Sequence, residues 1–253
     1  MFAQNRINQI AEHLKKYQSA TVSELSEKFS VSEVTVRKDL SVLEADNLIE
    51  RSFGGAIWIG HSISNEISNE VKMVSRKEDK ARIAKKIITE INEGDTIFLD
   101  AGSTNNILVS FLKEFSYLTV LTNDLLIAIK LSGFSNFKII LIGGEVSNIS
   151  KATVDYMATQ NLSMFNVDTS IIGCDSFSIN NGACTTSVDK AALKSMALSI
   201  ASKKLLSTTS DKHTRKGLVT FADLSEFDKI YTDNSISNIQ DFKELDDVKI
   251  EIC

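Results

Sequence analysis

The sequence predicts an α/β protein of two unequal domains: three short helices closed by a glycine-turned hairpin (residues 1–58), then a parallel sheet covered by helices (residues 76–253). Three observations predict it. Apolar residues recur at helical spacing three times in the first 45 positions, six short apolar runs alternate with helical stretches after residue 76, and most of those runs end in a small or polar cluster. A chain of 253 residues has room for one small and one medium core.

In the first domain, Ile7, Ile10, Ala11 and Leu14 share one helix face, Val22, Leu25 and Phe29 repeat the spacing, and Val36, Leu40 and Leu43 repeat it again. Thr21 and Ser32 precede the second and third patterns, where a hydroxyl can cap free N–H groups. The link Phe29 to Ser32 is so short that the two helices must meet at a sharp angle with Val31 beneath, which is helix-turn-helix spacing. Apolar-rich segments on either side of Phe53-Gly54-Gly55 then read as a hairpin, a wing, with a glycine supplying positive φ and Trp58 packing the wing against the helices.

With positions 36, 40 and 43 turned to the core, Glu33, Val34, Thr35, Arg37 and Lys38 point outward beside Ser32, and Arg51 lies on the wing. Such a surface suits the DNA major groove, where Arg reads guanine and Lys or Thr holds phosphate or a base edge. Helix-turn-helix domains also serve protein contacts, and that alternative stands beside the first. Residues 1–60 carry seven Lys/Arg against eight Asp/Glu, so phosphate affinity has to come from a few cations on one face. One copy would bind weakly, which predicts a homo-oligomer, a dimer or tetramer, on repeated half-sites of double-stranded operator DNA.

Residues 59–75, with the tandem Ile-Ser-Asn-Glu of 63–66 and 67–70, read as an extended linker. Beyond it the apolar runs are 96–102, 118–124, 138–144, 169–175, 204–210 and 229–233. Asp100-Ala-Gly-Ser-Thr104, Thr122-Asn-Asp124, Gly143-Gly144 and Gly173-Cys-Asp175 fall at carboxyl ends, where open α/β sheets take their ligands. Gly102, Ser103 and Thr104 open the next helix, a place for a phosphate or simply a good N-cap. The chain has no proline, so pairs such as Asn181-Gly182 must mark its turns.

The stretch SVSEVTVRKDLSVLEADNLIERSFGGA (30–56) closely resembles the signature of DeoR-family transcriptional regulators. SRKEDKARIA, GDTIFLDAGST, LTVLTND, LIGGEV, VDTSIIGCD, NGACTT and the helix with Lys194 then resemble that family's sensor domain in order, over about residues 76–235. The resemblance implies a Rossmann-like α/β sensor of the ribose-5-phosphate isomerase type that binds a phosphorylated sugar effector and releases DNA. It implies effector-binding residues Asp100, Gly102, Ser103, Thr104, Asn123, Gly143, Asp175, Lys194 and Lys212, with Arg76 and Lys80 as phosphate cations. The alternative for Asp175 is a turn cap, and for Lys194 and Lys212 a solvated surface position. The chain departs from the family at Thr209 and Thr214, where an aspartate and a glycine are usual, at Ser176 for a glycine, and at Ser187 for a proline.

The competing reading is a sugar-phosphate isomerase with a DNA-binding appendage. Such enzymes carry three carboxylates and a lysine-glycine run around the reacting carbons, whereas this chain has Ile172-Gly-Cys-Asp-Ser176 and Asn180-Asn-Gly-Ala183, so the expectation is binding without catalysis. A pure interaction scaffold would explain neither wing nor loops. Cys174, Cys184 and Cys253 lack Cys-x-x-Cys spacing and His13, His61 and His213 are scattered, so no metal or cofactor is expected. The first residues do not resemble a signal peptide and no apolar run approaches a membrane span, so a cytoplasmic protein with no membrane partner is expected, most of its net charge of −5 lying beyond residue 60.

Overall fold

The computed structural model describes residues 3–45, 48–52, 54–58, 72–73, 75–235 and 249–253. They form two compact units, Met1–Lys77 and Glu78–Cys253. Most of the expected linker, with Phe53 of the hairpin, lies outside the described residues. Among the described residues no helix is long and apolar enough to cross a membrane.

In the first unit, α1 (Ala3–Tyr17), α2 (Val22–Phe29) and α3 (Glu33–Ala45) surround one core, and β1 (Ser19–Thr21), β2 (Ile49–Ser52) and β3 (Gly55–Trp58) form an antiparallel sheet in the order β1-β3-β2. Ile10, Leu14, Leu25, Val36 and Leu40 are fully buried, and Phe29, Val31 and Trp58 pack against them. The spacing of the apolar residues thus becomes the contact between helices. Thr21 caps α2 in a capping box, its hydroxyl accepting from the Glu24 N–H while the Glu24 carboxylate accepts from the Thr21 N–H at 2.7 Å. Ser30 ends α2 in the left-handed region at φ 52°, a sharp exit with no glycine to ease it. Gly54 turns the hairpin at φ 84°, and Gly55 passes so close to β1 that an added Cβ would lie 2.4 Å from the Ala20 carbonyl oxygen.

In the second unit a seven-stranded, all-parallel sheet has the order β15-β14-β12-β9-β4-β5-β6. Its strands are β4 (Thr96–Leu99), β5 (Thr119–Thr122), β6 (Lys138–Leu141), β9 (Val167–Gly173), β12 (Ala201–Ser207), β14 (Lys229–Thr232) and β15 (Ile250–Ile252). Neighbouring residues of one strand enter opposite cores. Phe98, Leu121, Ile172, Leu206 and Ile230 join one cluster, while Ile97, Leu99, Val120, Ile171, Leu205 and Tyr231 join the other. This explains why the runs read as continuously apolar: both faces are covered. On the first face lies α8 (Val188–Ser199) with Ala191, Leu193, Ala197 and Leu198, and on the second α4 (Lys77–Ile87) with Ile83, Ala84 and Ile87.

The six expected strands are present. The C-terminal β15 and a small antiparallel sheet of β10 (Ser176–Ser178), β11 (Gly182–Thr185) and β13 (Val219–Ala222) come in addition. The Asn181-Gly182 turn joins β10 to β11 with Gly182 at φ 66°, and a Cβ there would strike the Ala222 carbonyl oxygen at 2.3 Å. The hairpin of β7 (Val146–Ser147) and β8 (Ala152–Thr153) and the helices α5 (Ser103–Leu108), α6 (Leu125–Leu131) and α7 (Tyr156–Leu162) complete the unit.

Candidate functional site

Two surfaces gather the residues singled out by the sequence, one in each unit. On α3, Ser32 caps the helix start, its hydroxyl accepting from the Thr35 N–H at 3.3 Å and lying 2.9 Å from the Thr35 hydroxyl. Glu33 and Arg37, one turn apart, form an exposed ion pair at 2.8 Å, and Lys38 is exposed beside them. Val34 stands out at 64% exposure. Solvent screening makes the Glu33–Arg37 pair worth less than about 1 kcal/mol, so it holds the guanidinium only weakly.

Arg51 does more than stand on the wing. Its Nη1 donates to the Arg37 carbonyl at 3.0 Å and lies 3.4 Å from the Ser41 hydroxyl, so β2 is braced against the exposed face of α3. A second arginine is spent inside the fold: Arg6 of α1 makes two bonds, 2.6 and 3.0 Å, to the largely buried Asp39. That pair holds the Arg6 guanidinium above its usual pKa through the hydrogen bond to Asp39. Arg6 therefore fixes α3 in place, and the cations presented on α3 are Arg37 and Lys38. Sequence spacing does not point to Arg6, since a basic residue on an outer turn of α1 gives no sign of its partner 33 positions away.

In the second unit the ends of β4, β5, β9 and β12 converge. The buried Asp100 receives the Gly173 N–H at 2.9 Å and the ammonium of Lys194, which also donates to the Gly173 carbonyl at 2.9 Å. The Lys194 nitrogen lies 5.6 Å from the centre of the Phe221 ring. Lys194 is 7% exposed, so the solvated-surface alternative does not hold for it. It ties α8 to two strand ends and presents a neutralised, not a free, cation. Lys212 is half-buried and donates to the Cys174 carbonyl at 2.7 Å. Asp175 accepts the Thr185 hydroxyl at 2.8 Å, and its own N–H reaches the Cys184 carbonyl at 2.9 Å, so it both anchors β11 and lines the strand end.

Asn123 is equally committed. Its side-chain oxygen accepts the Ala101 N–H at 3.0 Å and its amide donates to the Thr153 carbonyl at 3.0 Å, joining the β4 loop to β8. Gly102 N–H points to Asp124 at 3.3 Å, and Ser103 and Thr104 are buried at the start of α5. Gly143 is exposed and its carbonyl receives Asn161 at 3.1 Å. Lys80 is buried on α4, and Arg76, at φ 48°, belongs to the first unit.

Asn105 and Asp233 join the site without having been expected from sequence, and Asp124, expected only as the end of the Thr122–Asp124 cluster, joins it with a role of its own. The buried Asn105 amide donates to the carbonyls of Asp100 (2.9 Å) and Ile171 (2.8 Å) and its oxygen receives Ser207 at 3.2 Å, pinning three strand ends together. Asp124 accepts the N–H groups of Leu126 and Ile127; burial pushes its carboxyl pKa up against the pull of those bonds and of Gly102. Asp233 holds Ser210 through the backbone N–H at 2.8 Å and the hydroxyl at 2.7 Å. This second bond orders the loop that bears Lys212, the loop where the chain departs from the family pattern. The signal in sequence is a polar residue at a strand end, which does not say which backbone groups it meets. Burial pushes the thiol pKa of Cys174 up, and Cys174 bonds Thr208 at 3.2 Å, as a small buried filler would.

An exposed reading helix with a braced wing, and an α/β unit whose polar strand ends converge on one edge, define a DNA-binding regulator with a separate sensor. The description "DeoR-like helix-turn-helix domain" matches residues 6–61 and "DeoR C terminal sensor domain" matches residues 75–234. The chain is similar to the glycerol-3-phosphate regulon repressor of Escherichia coli K12, 31% identical over 233 residues covering 90% of each chain. It is also 31% identical over 248 residues to the lactose phosphotransferase system repressor of Lactococcus lactis, covering 96% of this chain and 97% of that one. Among solved structures it is similar to ribose 5-phosphate isomerase A from Neisseria gonorrhoeae, with a TM-score of 0.40 and 15% identity over 56% of each chain. The chain belongs to the DeoR family of transcriptional regulators.

Proposed function

We propose that this protein is a cytoplasmic repressor of sugar or carbohydrate metabolism genes, whose affinity for operator DNA is set by a phosphorylated sugar at the C-terminal edge of the seven-stranded sheet. Residues 1–58 read DNA, 59–75 link, and 76–253 sense. The observation that carries this reading is the convergence of Asp100, Asp175, Lys194 and Lys212 on neighbouring strand ends inside the stretch matched by the DeoR sensor description. Two carboxylates suit sugar hydroxyls, and Lys212 with the Gly102–Thr104 turn suits a phosphate. Two relatives are named as repressors of a glycerol-3-phosphate regulon and of a lactose phosphotransferase system, which supports carbohydrate genes as the target.

The unit is expected to hold its ligand without turnover, because Ile172-Gly-Cys-Asp-Ser176 has one carboxylate where sugar-phosphate isomerases carry three, and Asn180-Asn-Gly-Ala183 replaces their lysine-glycine run. The protein works as a homo-oligomer, a dimer or tetramer: with Arg6 locked to Asp39 and Arg51 bonded to α3, few cations per copy remain to hold phosphates. A thermal-shift screen of the full chain with sugar phosphates, the same sugars unphosphorylated, and inorganic phosphate tests this. A ligand at 100 times its Kd adds about 2.7 kcal/mol of stability. One sugar phosphate should raise Tm where its free sugar does not, without aldose–ketose interconversion in the same sample. Equal shifts for the free sugar, or turnover, would refute the reading.

A further inference from the structure

The most exposed large apolar residue of the reading helix, well beyond Val42 at 43%, has no role in the helix core and is the wrong type for the surface it occupies. Val34 is 64% exposed in the first turn of α3, although the helix core is complete with Val36, Leu40 and Leu43, each buried to 2% or less. At about 100° per residue, Val34 sits about 150° around the axis from the mean direction of those three. It therefore occupies the middle of the outward face. Helix propensity does not explain it, since a β-branched residue is about 0.6 kcal/mol worse than alanine at a solvated helical position. An apolar docking patch does not explain it either. Its neighbours on that face are Arg37 in its ion pair with Glu33, the exposed Lys38, and Ser41, which lies against Arg51 of the wing.

A branched apolar side chain flanked by Arg37, with its Glu33 partner, and by Lys38 matches the edge of an A·T pair. In the major groove thymine offers one apolar group, its C5 methyl, which no other base shares, and phosphates lie on both sides of it. Residues near the start of a recognition helix are the ones that reach base edges. We propose that Val34 is a specificity-determining residue that packs on the C5 methyl of a thymine next to the base pair read by Arg37. The proposal rests on the DNA-reading role of α3.

The test does not depend on a known operator sequence. Duplexes that bind the full-length chain are selected from a random library, and in the tightest of them each thymine is replaced in turn by deoxyuridine, which removes only the methyl. At one thymine per half-site, next to the pair where Arg37→Ala loses discrimination, wild type should lose about fourfold in affinity, the value of one buried methyl. Val34→Ala, a change on the solvent face, should bind the thymine and deoxyuridine duplexes equally at that position while responding normally at every other. The proposal is overturned if Val34→Ala keeps the full loss at every thymine, if no thymine is sensitive in wild type, or if the sensitive one is remote from the Arg37 position. Failure of the library to yield any preferred duplex would instead remove the DNA-reading role itself, and this proposal with it.

Discussion

The reading helix and the sensor edge solve opposite problems. On α3 the functional candidates face solvent, and their bonds to the rest of the protein are an exposed ion pair, a cap and the brace from Arg51. At the sensor edge the central candidates also hold the fold together: Asp100, Asn123, Asp175 and Lys194 each bridge two or more elements. A DNA surface must leave its donors unsatisfied until the partner arrives. A sugar site in a dry sheet end must order its polar groups beforehand, because buried unpaired groups are expensive. Substitutions should therefore separate function from stability on α3 and confound the two at the sensor edge.

The sharpest test of that contrast is Asp100→Ala, which leaves the Lys194 ammonium buried beside Gly173 with its partner gone. It should cost about 3–5 kcal/mol in urea unfolding of the second unit, and most of that loss should return in Asp100→Leu with Lys194→Met. If the single variant is as stable as wild type, Asp100 is a ligand group alone and the contrast fails.

A smaller effect is expected at the opposite end of the same sheet, where Glu90 receives Lys229 at 2.5 Å, Tyr231 at 2.6 Å and Lys203 at 3.1 Å. Burial alone would raise its pKa, but these donors outweigh it and hold the carboxyl down at about 2. A carboxyl with a folded pKa below its unfolded value of 4.5 contributes stability that is complete above about pH 4.5 and is lost as pH falls towards 2. Glu90→Gln should cost about 2 kcal/mol at pH 7 and flatten the dependence between pH 4.5 and 2. An unchanged acid slope in the variant would contradict the assignment.

At the small end, Arg37→Ala and Lys38→Ala should each alter stability by no more than about 0.5 kcal/mol. On DNA they should diverge. Arg37→Ala should reduce the preference for specific over random duplex by about 1–3 kcal/mol, while Lys38→Ala should weaken both alike and lower the salt slope by about one unit. Equal losses on both duplexes for Arg37→Ala would remove it as a base reader and leave it a phosphate contact.

The same contrast explains what could be read from sequence. The helices of the first unit, its cap at Thr21 and the six expected apolar strands follow from local periodicity, and the placement of Glu33, Val34, Arg37 and Lys38 on the outward face follows from the same count. Long-range partners do not follow from it. Nothing near Lys194 predicts that Asp100, 94 positions earlier, neutralises it, and nothing near Arg6 predicts Asp39. The β10-β11-β13 sheet escapes a periodicity count because its strands are three or four residues long and lie among turns, and β15 because it is only three residues long. At the sensor edge the family pattern names strand ends correctly as polar, but only packing decides whether such a residue faces a ligand, a backbone group or both.

On the proposed function the two units are coupled, the sensor's ligand controlling the grip of α3. The direct measurement is the affinity of the full-length protein for its selected duplex, by fluorescence anisotropy at fixed salt, with and without the sugar phosphate that stabilises it. A coupling of about 1–3 kcal/mol would change that affinity roughly 5- to 150-fold, and the duplex would change sugar-phosphate affinity by the same factor. A ligand that saturates the protein yet leaves DNA affinity unchanged would contradict the account.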